Sequence, residues 1–386
     1  MMRSNGDSIE VGRAPIVSQV NPPFRADHVG SLLRPTAVHD ARAACAAGEI
    51  TTGDLRDVED TAIAEAVRTV EGLGMHSITD GEFRRTWFHL DFLQQLEGVA
   101  VTGSIAASSD AATTVHLTPP KLSVVGPLRH VRDIQVADYR YLATVTTETP
   151  KVSIPSPTMV HFRGGRAAID VDAYPDLEKF FADLAACYRA ELDALYAAGC
   201  RYVQLDDTNL AYLCDPVMRA GAVERGEDPD QLPHAYAELI NAVIVGRPDD
   251  LVVGIHLCRG NYRSTWFAEG GYEPVAEVLF NELDVDAYFL EYDDERSGDF
   301  APLRFVPANK TVVLGLVTSK RPELESVEAL ATRIDEAAVY VPLDQLCLSP
   351  QCGFASTVEG NALTADEQWA KLARVVETAD TVWGAT

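Results

Sequence analysis

LVVGIHLCRGN, Leu251 to Asn261, opens on an apolar run, Leu251–Ile255, and closes on Arg259-Gly260-Asn261. The run is short, rich in β-branched residues and bounded by glycine, as a buried strand is. Side chains on a strand alternate between faces, so His256 and Cys258 project the same way from its end. An imidazole and a thiol presented together make half of a tetrahedral zinc site.

Working outward, helical and strand patterns alternate almost without a break from Pro175 onward. Pro175–Gly199 has helical period and stops at a glycine, and the strand Cys200–Asp207 follows at once. A helix at about Pro233–Val245 leads into the quoted strand. After it come helix Pro274–Glu282, strands Asp286–Asp294 and Lys310–Lys320, helix Leu324–Ala338, strand Asp344–Phe354 and helix Ala365–Thr378. Upstream lie a short strand in Phe24–Pro35, helices Thr36–Ala47 and Thr52–Leu73, and a strand and loop in Met75–Phe83. Parallel α/β folds are built from such units. No glycine-rich dinucleotide fingerprint or phosphate loop is present. With about eight candidate strands, the reading is a (β/α)₈ TIM barrel, whose chemistry sits at the C-terminal strand ends. Residues 99–157 are rich in Thr, Val, Ser and Pro and read as a β-rich insertion; residues 1–20 read as a flexible tail. The expected organisation is one barrel domain over 21–386.

The 386 residues are 47% hydrophobic, enough for a large core, and carry a net charge of −26. That field repels phosphate backbones and anionic lipid, so neither nucleic acid nor membrane is an expected partner. No secretory leader and no apolar run of membrane-spanning length is seen. Seven scattered cysteines point to reduced thiols in a cytoplasmic protein. A homo-oligomer is compatible with this composition.

Four strand-end residues are candidate ligands: His256 and Cys258, then Glu291 in FLEYDD and Cys352 in LSPQCGF. Two thiolates, an imidazole and a carboxylate make an electron-rich zinc site suited to activating sulfur. Against this, H-x-C occurs by chance and strand cysteines are commonly small buried hydrophobes. Basic residues gather at the strand ends (Arg84, Arg85, Arg259, Arg263, Arg296, Lys320, Arg321), either for an anionic substrate or paired with Asp293, Asp294 and Glu295. Trp87, Phe88, Tyr262, Trp266, Phe267 and Tyr292 are aromatics that either wall a donor or belong to the core.

From about Phe24 to the C-terminus the chain resembles the catalytic barrel of cobalamin-independent methionine synthase. DHVGSLLRP, TDGEFRR, YVQLDD, HLC, FLE and PQCGF are similar to that family's motifs and occur in its order. The resemblance implies Zn²⁺ bound by His256, Cys258, Glu291 and Cys352, with Ser31, Glu82 and Asp206 holding homocysteine. Read without it, Asp206 is a loop-start cap, Glu82 a solvated surface acid and Ser31 a turn former. Where the family has a proton-donating histidine this chain has Lys320, a weaker acid-base group near neutrality.

The expected function is therefore zinc-dependent methyl transfer to a small-molecule thiol, with Lys320 and Asp206 as catalytic candidates and Ser31, Glu82, Asp206, Arg85 and Arg259 as substrate contacts. Two alternatives compete with it. One is thiol alkylation of the kind carried out by epoxyalkane:coenzyme M transferases, and the other is a barrel that binds zinc and thiol without turnover.

Overall fold

The computed structural model describes residues 21–104 and 120–384. The strand containing the quoted stretch, β7, lies inside a six-stranded parallel sheet. The strands up to and including it are β1 Ser77–Ile78, β2 Glu97–Ser104, β3 Pro120–Arg129, β4 Thr149–Pro150, β5 Val152–Pro155, β6 Tyr202–Asp207 and β7 Val252–Leu257; after it come β8 Ala287–Glu291, β9 Thr311–Val317 and β10 Leu346–Pro350. The sheet runs β10-β9-β8-β7-β6-β5 and is extended at both edges. At one, Ala26 bridges Leu348 in parallel, with Asp27 N–H donating to Leu348 O at 3.0 Å. At the other, β4 runs through Lys151 into β5 and pairs with β1 in parallel. The 25–27 stretch and β1 are tied by Ser77 Oγ to Asp27 at 2.8 Å, His28 Nε2 to Ser77 O at 3.0 Å, and Leu32 N–H to Gly81 O at 3.0 Å. The ring so closed is the (β/α)₈ barrel, with the first and second staves shorter than the sequence suggests.

Helices connect the staves because their apolar faces recur at helical spacing. Leu177–Ala197 buries Phe180, Leu184, Tyr188, Leu192 and Leu195. Leu232–Ile244, Val327–Ala337 and Ala365–Trp383 lie within a residue or a few of the expected bounds. Between β8 and β9 the chain makes two 3₁₀ turns, Glu295–Ser297 and Ala301–Phe305, in place of a helix. The region expected to be β-rich is mixed. It holds the antiparallel hairpin β2–β3, but also a helix, Val136–Val145, and then barrel strand. That helix is rich in β-branched and aromatic residues and reads locally as strand. Burial of Val136, Tyr139 and Leu142 three residues apart decides it, since packing overrides weak propensity. The flexible tail expected at 1–20 lies outside the described residues. No helix among the described residues is long and apolar enough to cross a membrane.

The barrel interior is layered. Tyr202, Ala287, Phe289, Val313 and Cys347 form one packed layer. Against it sits a fully buried pair, Lys151 and Asp27, 3.1 Å apart, with the ammonium 4.1 Å from the Phe289 ring centre. Two residues further along β6, β7 and β8, alternation points the next inward side chains toward the C-terminal mouth.

Candidate active site and metal centre

His256 comes from the end of β7, and Cys258 follows it, its N–H continuing the ladder to Asp207 O at 3.0 Å. Cys352 comes from the turn after β10. The ligand atoms of these three buried residues lie within 4.8 Å of one another, and the two sulfurs are 3.3 Å apart. The buried His256 imidazole faces the thiols: its side-chain hydrogen bond is to the Cys352 sulfur, and neither ring nitrogen pairs with an oxygen or nitrogen among the described residues. The hydrogen bond between the sulfurs pushes the Cys258 thiol up and holds Cys352 well below the ordinary thiol range. Cys352 is thus the more acidic member of the sulfur pair. An imidazole beside two sulfurs fits zinc in donor type.

Glu291, at the tip of β8, is fully buried but stands outside this group. Its carboxylate accepts from the Arg259 N–H at 2.9 Å and pairs with the Arg296 guanidinium. Burial alone would raise its pKa, yet Lys320, Arg259 and Arg296 outweigh burial and hold it at about 2. It is a permanently ionised oxygen donor next to the cluster, engaged by cations.

A second set gathers at the neighbouring stave ends. Asp206 Oδ1 accepts from Gln204 Nε2 at 2.7 Å, and the same amide nitrogen donates to Val29 O at 2.7 Å, tying β6 to the first stave. Glu82 lies 3.3 Å from Arg85 and is pushed up to about 7, by burial first, with repulsion from Asp206 adding and Arg85 opposing. Asp206 is also raised by burial, against the pull of His256. Ser31 is buried, and its Oγ accepts from Ala355 N–H at 3.2 Å. It therefore braces the turn that carries Cys352. A Cβ on Gly353 would fall 1.9 Å from Ser31 Oγ. Gly353→Ala must consequently move either Ser31 or the Cys352 turn. A loss of about 1–3 kcal/mol in thermal unfolding is expected. An unchanged melting curve would contradict this packing.

Arg85 and Arg259, expected to face substrate, are turned into the protein. Arg85 donates to Ser153 O and, at 3.3 Å, to Gln135. Arg259 has no exposed surface; it donates to Gly270 O at 2.6 and 3.0 Å, Tyr272 OH at 3.1 Å and Glu291 O at 3.1 Å. Its role is to brace the β7 and β8 ends. Arg84 pairs with Asp60, and Arg296 with Glu291, Asp293 and Asp294, so much of the basic cluster is matched by carboxylates. Lys320 differs, because its side-chain nitrogen is buried without a hydrogen-bond partner among the described residues and its charge acts on Glu291 and both site sulfurs.

A cavity of about 660 Å³, its mouth included, opens over the three-residue cluster and over Ser31, Glu82 and Asp206. Trp87, Phe88, Tyr262 and Phe267 line it as the sequence allowed; Trp266 and Tyr292 do not. Trp266 lies beneath Arg296 and Tyr292 packs in the core against Tyr272 and Phe300. The wall also includes Tyr212, His89 and Arg163, which no local motif announced.

A family model described as the catalytic domain of cobalamin-independent synthase matches residues 24–380. The uncharacterised protein YxjH of Bacillus subtilis (strain 168) is 48% identical over 95% of this chain and 96% of its own length. Methionine synthase of Pyrococcus horikoshii is 26% identical over 79% of each chain. A crystal structure from Listeria monocytogenes, provisionally named a vitamin-B12-independent methionine synthase, is 42% identical. It superposes with a TM-score of 0.77 over 95% of this chain and 100% of that one.

Proposed function

Since this chain belongs to the cobalamin-independent synthase family through its catalytic domain, we propose that it is a zinc-dependent S-methyltransferase whose acceptor is homocysteine. The observation that carries the reading is the placing of His256, Cys258 and Cys352 at the floor of a cavity that also holds Glu82 and Asp206. His256, Cys258 and Cys352 would hold the zinc, with Glu291 as the adjacent oxygen donor. Bound there, zinc would lower the pKa of an incoming thiol and keep it in its nucleophilic form.

The chain's own residues supply the rest. Glu82 and Asp206, buried and repelling one another, gain most from a positive group between them, which selects an acceptor bearing an ammonium. Ser31 fixes the Cys352 turn, and Lys320 offsets the negative charge of sulfurs and carboxylate. The aromatic wall keeps water from the transfer path and orients the donor. Two buried carboxylates disfavour a sulfonated thiol such as coenzyme M, which lacks the ammonium and would be repelled.

The test is a donor screen on zinc-loaded protein with homocysteine as acceptor and methionine as the measured product. Absence of stoichiometric zinc together with undiminished activity in chelator would refute the proposal.

The pH dependence has a definite sign. Ammonium binding requires ionised Glu82, and its folded pKa of about 7 leaves it protonated at lower pH. The KM for homocysteine is expected to fall as pH rises from 6 to 8, by up to about tenfold per unit on the acid side. Glu82→Gln should flatten this profile. A wild-type KM that is level across the window would count against Glu82.

A further inference from the structure

Cys258 and Cys352 belong to different loops, so the 3.3 Å between their sulfurs is only as fixed as the contact between those loops. One buried side chain crosses the gap beside them. Asn261, three positions after Cys258, donates from Nδ2 to Gly353 O at 2.9 Å, and Gly353 directly follows Cys352. The same carbonyl accepts from Ser319 Oγ at 3.1 Å, and Gln351 Nε2 donates to that hydroxyl at 3.0 Å. Loops from the ends of β7, β9 and β10 therefore meet on a single oxygen atom. Gly260 makes the crossing possible. Its φ is +88°, and a Cβ there would lie 2.4 Å from Phe267 Cδ2, so a left-handed glycine turns the chain just before Asn261. The Asn261 amide is 7% exposed, and its Oδ1 is buried with no hydrogen-bond partner among the described residues. An orphaned buried oxygen is costly, and an apolar side chain would fill the space without that cost. The bond to Gly353 O is what offsets it. Further along both loops a second bridge joins them: Ser264 N–H donates to Asn361 Oδ1 at 3.2 Å, and Ala362 N–H to Ser264 Oγ at 3.0 Å.

We propose that Asn261 is a positioning residue of the metal centre: through Gly353 O it sets the spacing of the Cys258 and Cys352 sulfurs, so that the donors stand in place before an ion arrives. The inference rests on the zinc reading above for the identity of the ion. Asn261 touches neither sulfur in this role; it fixes the backbone that carries one of them, as partners standing behind metal ligands do. The outer bridge through Ser264 ties the loops farther from the sulfurs and has no such leverage on them.

Amide hydrogen exchange on the zinc-free full chain reads the junction without any metal. Asn261→Ala should speed exchange in both 259–267 and 352–357, whereas Ser264→Ala should speed it only around Ser264 and Ala362. Competition with a chromophoric chelator then reads zinc affinity. Asn261→Ala should lower it roughly 10- to 100-fold, and Ser264→Ala should stay within about twofold of the wild type. In cobalt-loaded protein the sulfur-to-metal charge-transfer absorption should weaken in Asn261→Ala and not in Ser264→Ala. If Asn261→Ala does not fold, Ser319→Ala, which removes the other donor to Gly353 O, carries the same test with a smaller loss in the same direction. Unchanged exchange in Asn261→Ala overturns the junction. Faster exchange with undiminished zinc affinity makes Asn261 a loop fastener only and overturns its role at the metal, as do equal losses in Asn261→Ala and Ser264→Ala. A wild type that takes up no zinc overturns the zinc reading and the metal role together, and the exchange result still decides whether Asn261 joins the loops.

Discussion

Cys352→Ser is expected to strip the protein of its zinc and reduce methyl transfer by more than about 100-fold. Changes around a metal site that leave every ligand in place already cost 10- to 100-fold, and losing one of the donors should exceed that. The argument is geometric. Among the described residues, three donor side chains, His256, Cys258 and Cys352, have their atoms within 4.8 Å of one another, and the neighbouring Glu291 carboxylate is engaged by Arg296 and the Arg259 N–H. Removing one sulfur leaves an imidazole and one thiol, too few donors to compete with water for the ion. Cys258→Ser should behave alike. Cys45→Ser, on helix Thr36–Ala46 away from the site, should keep both zinc and rate. The measurements are metal content by atomic emission and single-turnover transfer. A Cys352→Ser protein that retains stoichiometric zinc would remove the basis of the proposed mechanism. Circular dichroism guards against unfolding, since the packed barrel layer of Tyr202, Phe289, Val313 and Cys347 lies apart from the cluster.

Asp206→Asn should raise the KM for homocysteine by roughly 30-fold or more, the scale of losing one partner of a buried charge pair at 2–5 kcal/mol. The ammonium would then meet Glu82 alone, and Gln204, which now donates to Asp206, would face an amide. The effect should shrink to a few-fold for a thiol without the amino group, because that acceptor never used the carboxylate. An equal loss for both thiols would show that Asp206 supports the site without contacting the acceptor.

The staves and helices that make the barrel were readable because their signals are local. Leu177–Ala197 announces itself by apolar spacing and ends at glycine, and Ala365–Trp383 opens on a Thr364–Glu367 capping box. The helix Val136–Val145 was not readable, because its local preferences point toward strand and only its contacts make it helical. The candidate donor residues His256 and Glu291 were readable as strand-end side chains, since a strand of known direction places its last inward residues at one rim. What each does there was less so. Arg259 and Arg85 sit in the right place in the sequence but donate inward, to carbonyls supplied by Gly270, Glu291 and Ser153. Arg163 and His89 meet at the cavity although 74 positions separate them, with no spacing rule to join them.

The sequence alone determined the alternating parallel architecture and the rim on which the sulfur and nitrogen donors stand, because periodicity, caps and strand alternation act over a few residues. Only the tertiary structure decided which donors converge, that Glu291 is paired with Arg296 while His256 faces the two sulfurs, and that Glu82, Asp206 and an aromatic wall line one cavity with them. Those outcomes depend on distances between residues far apart in the chain, and such distances are fixed when the ring of strands closes.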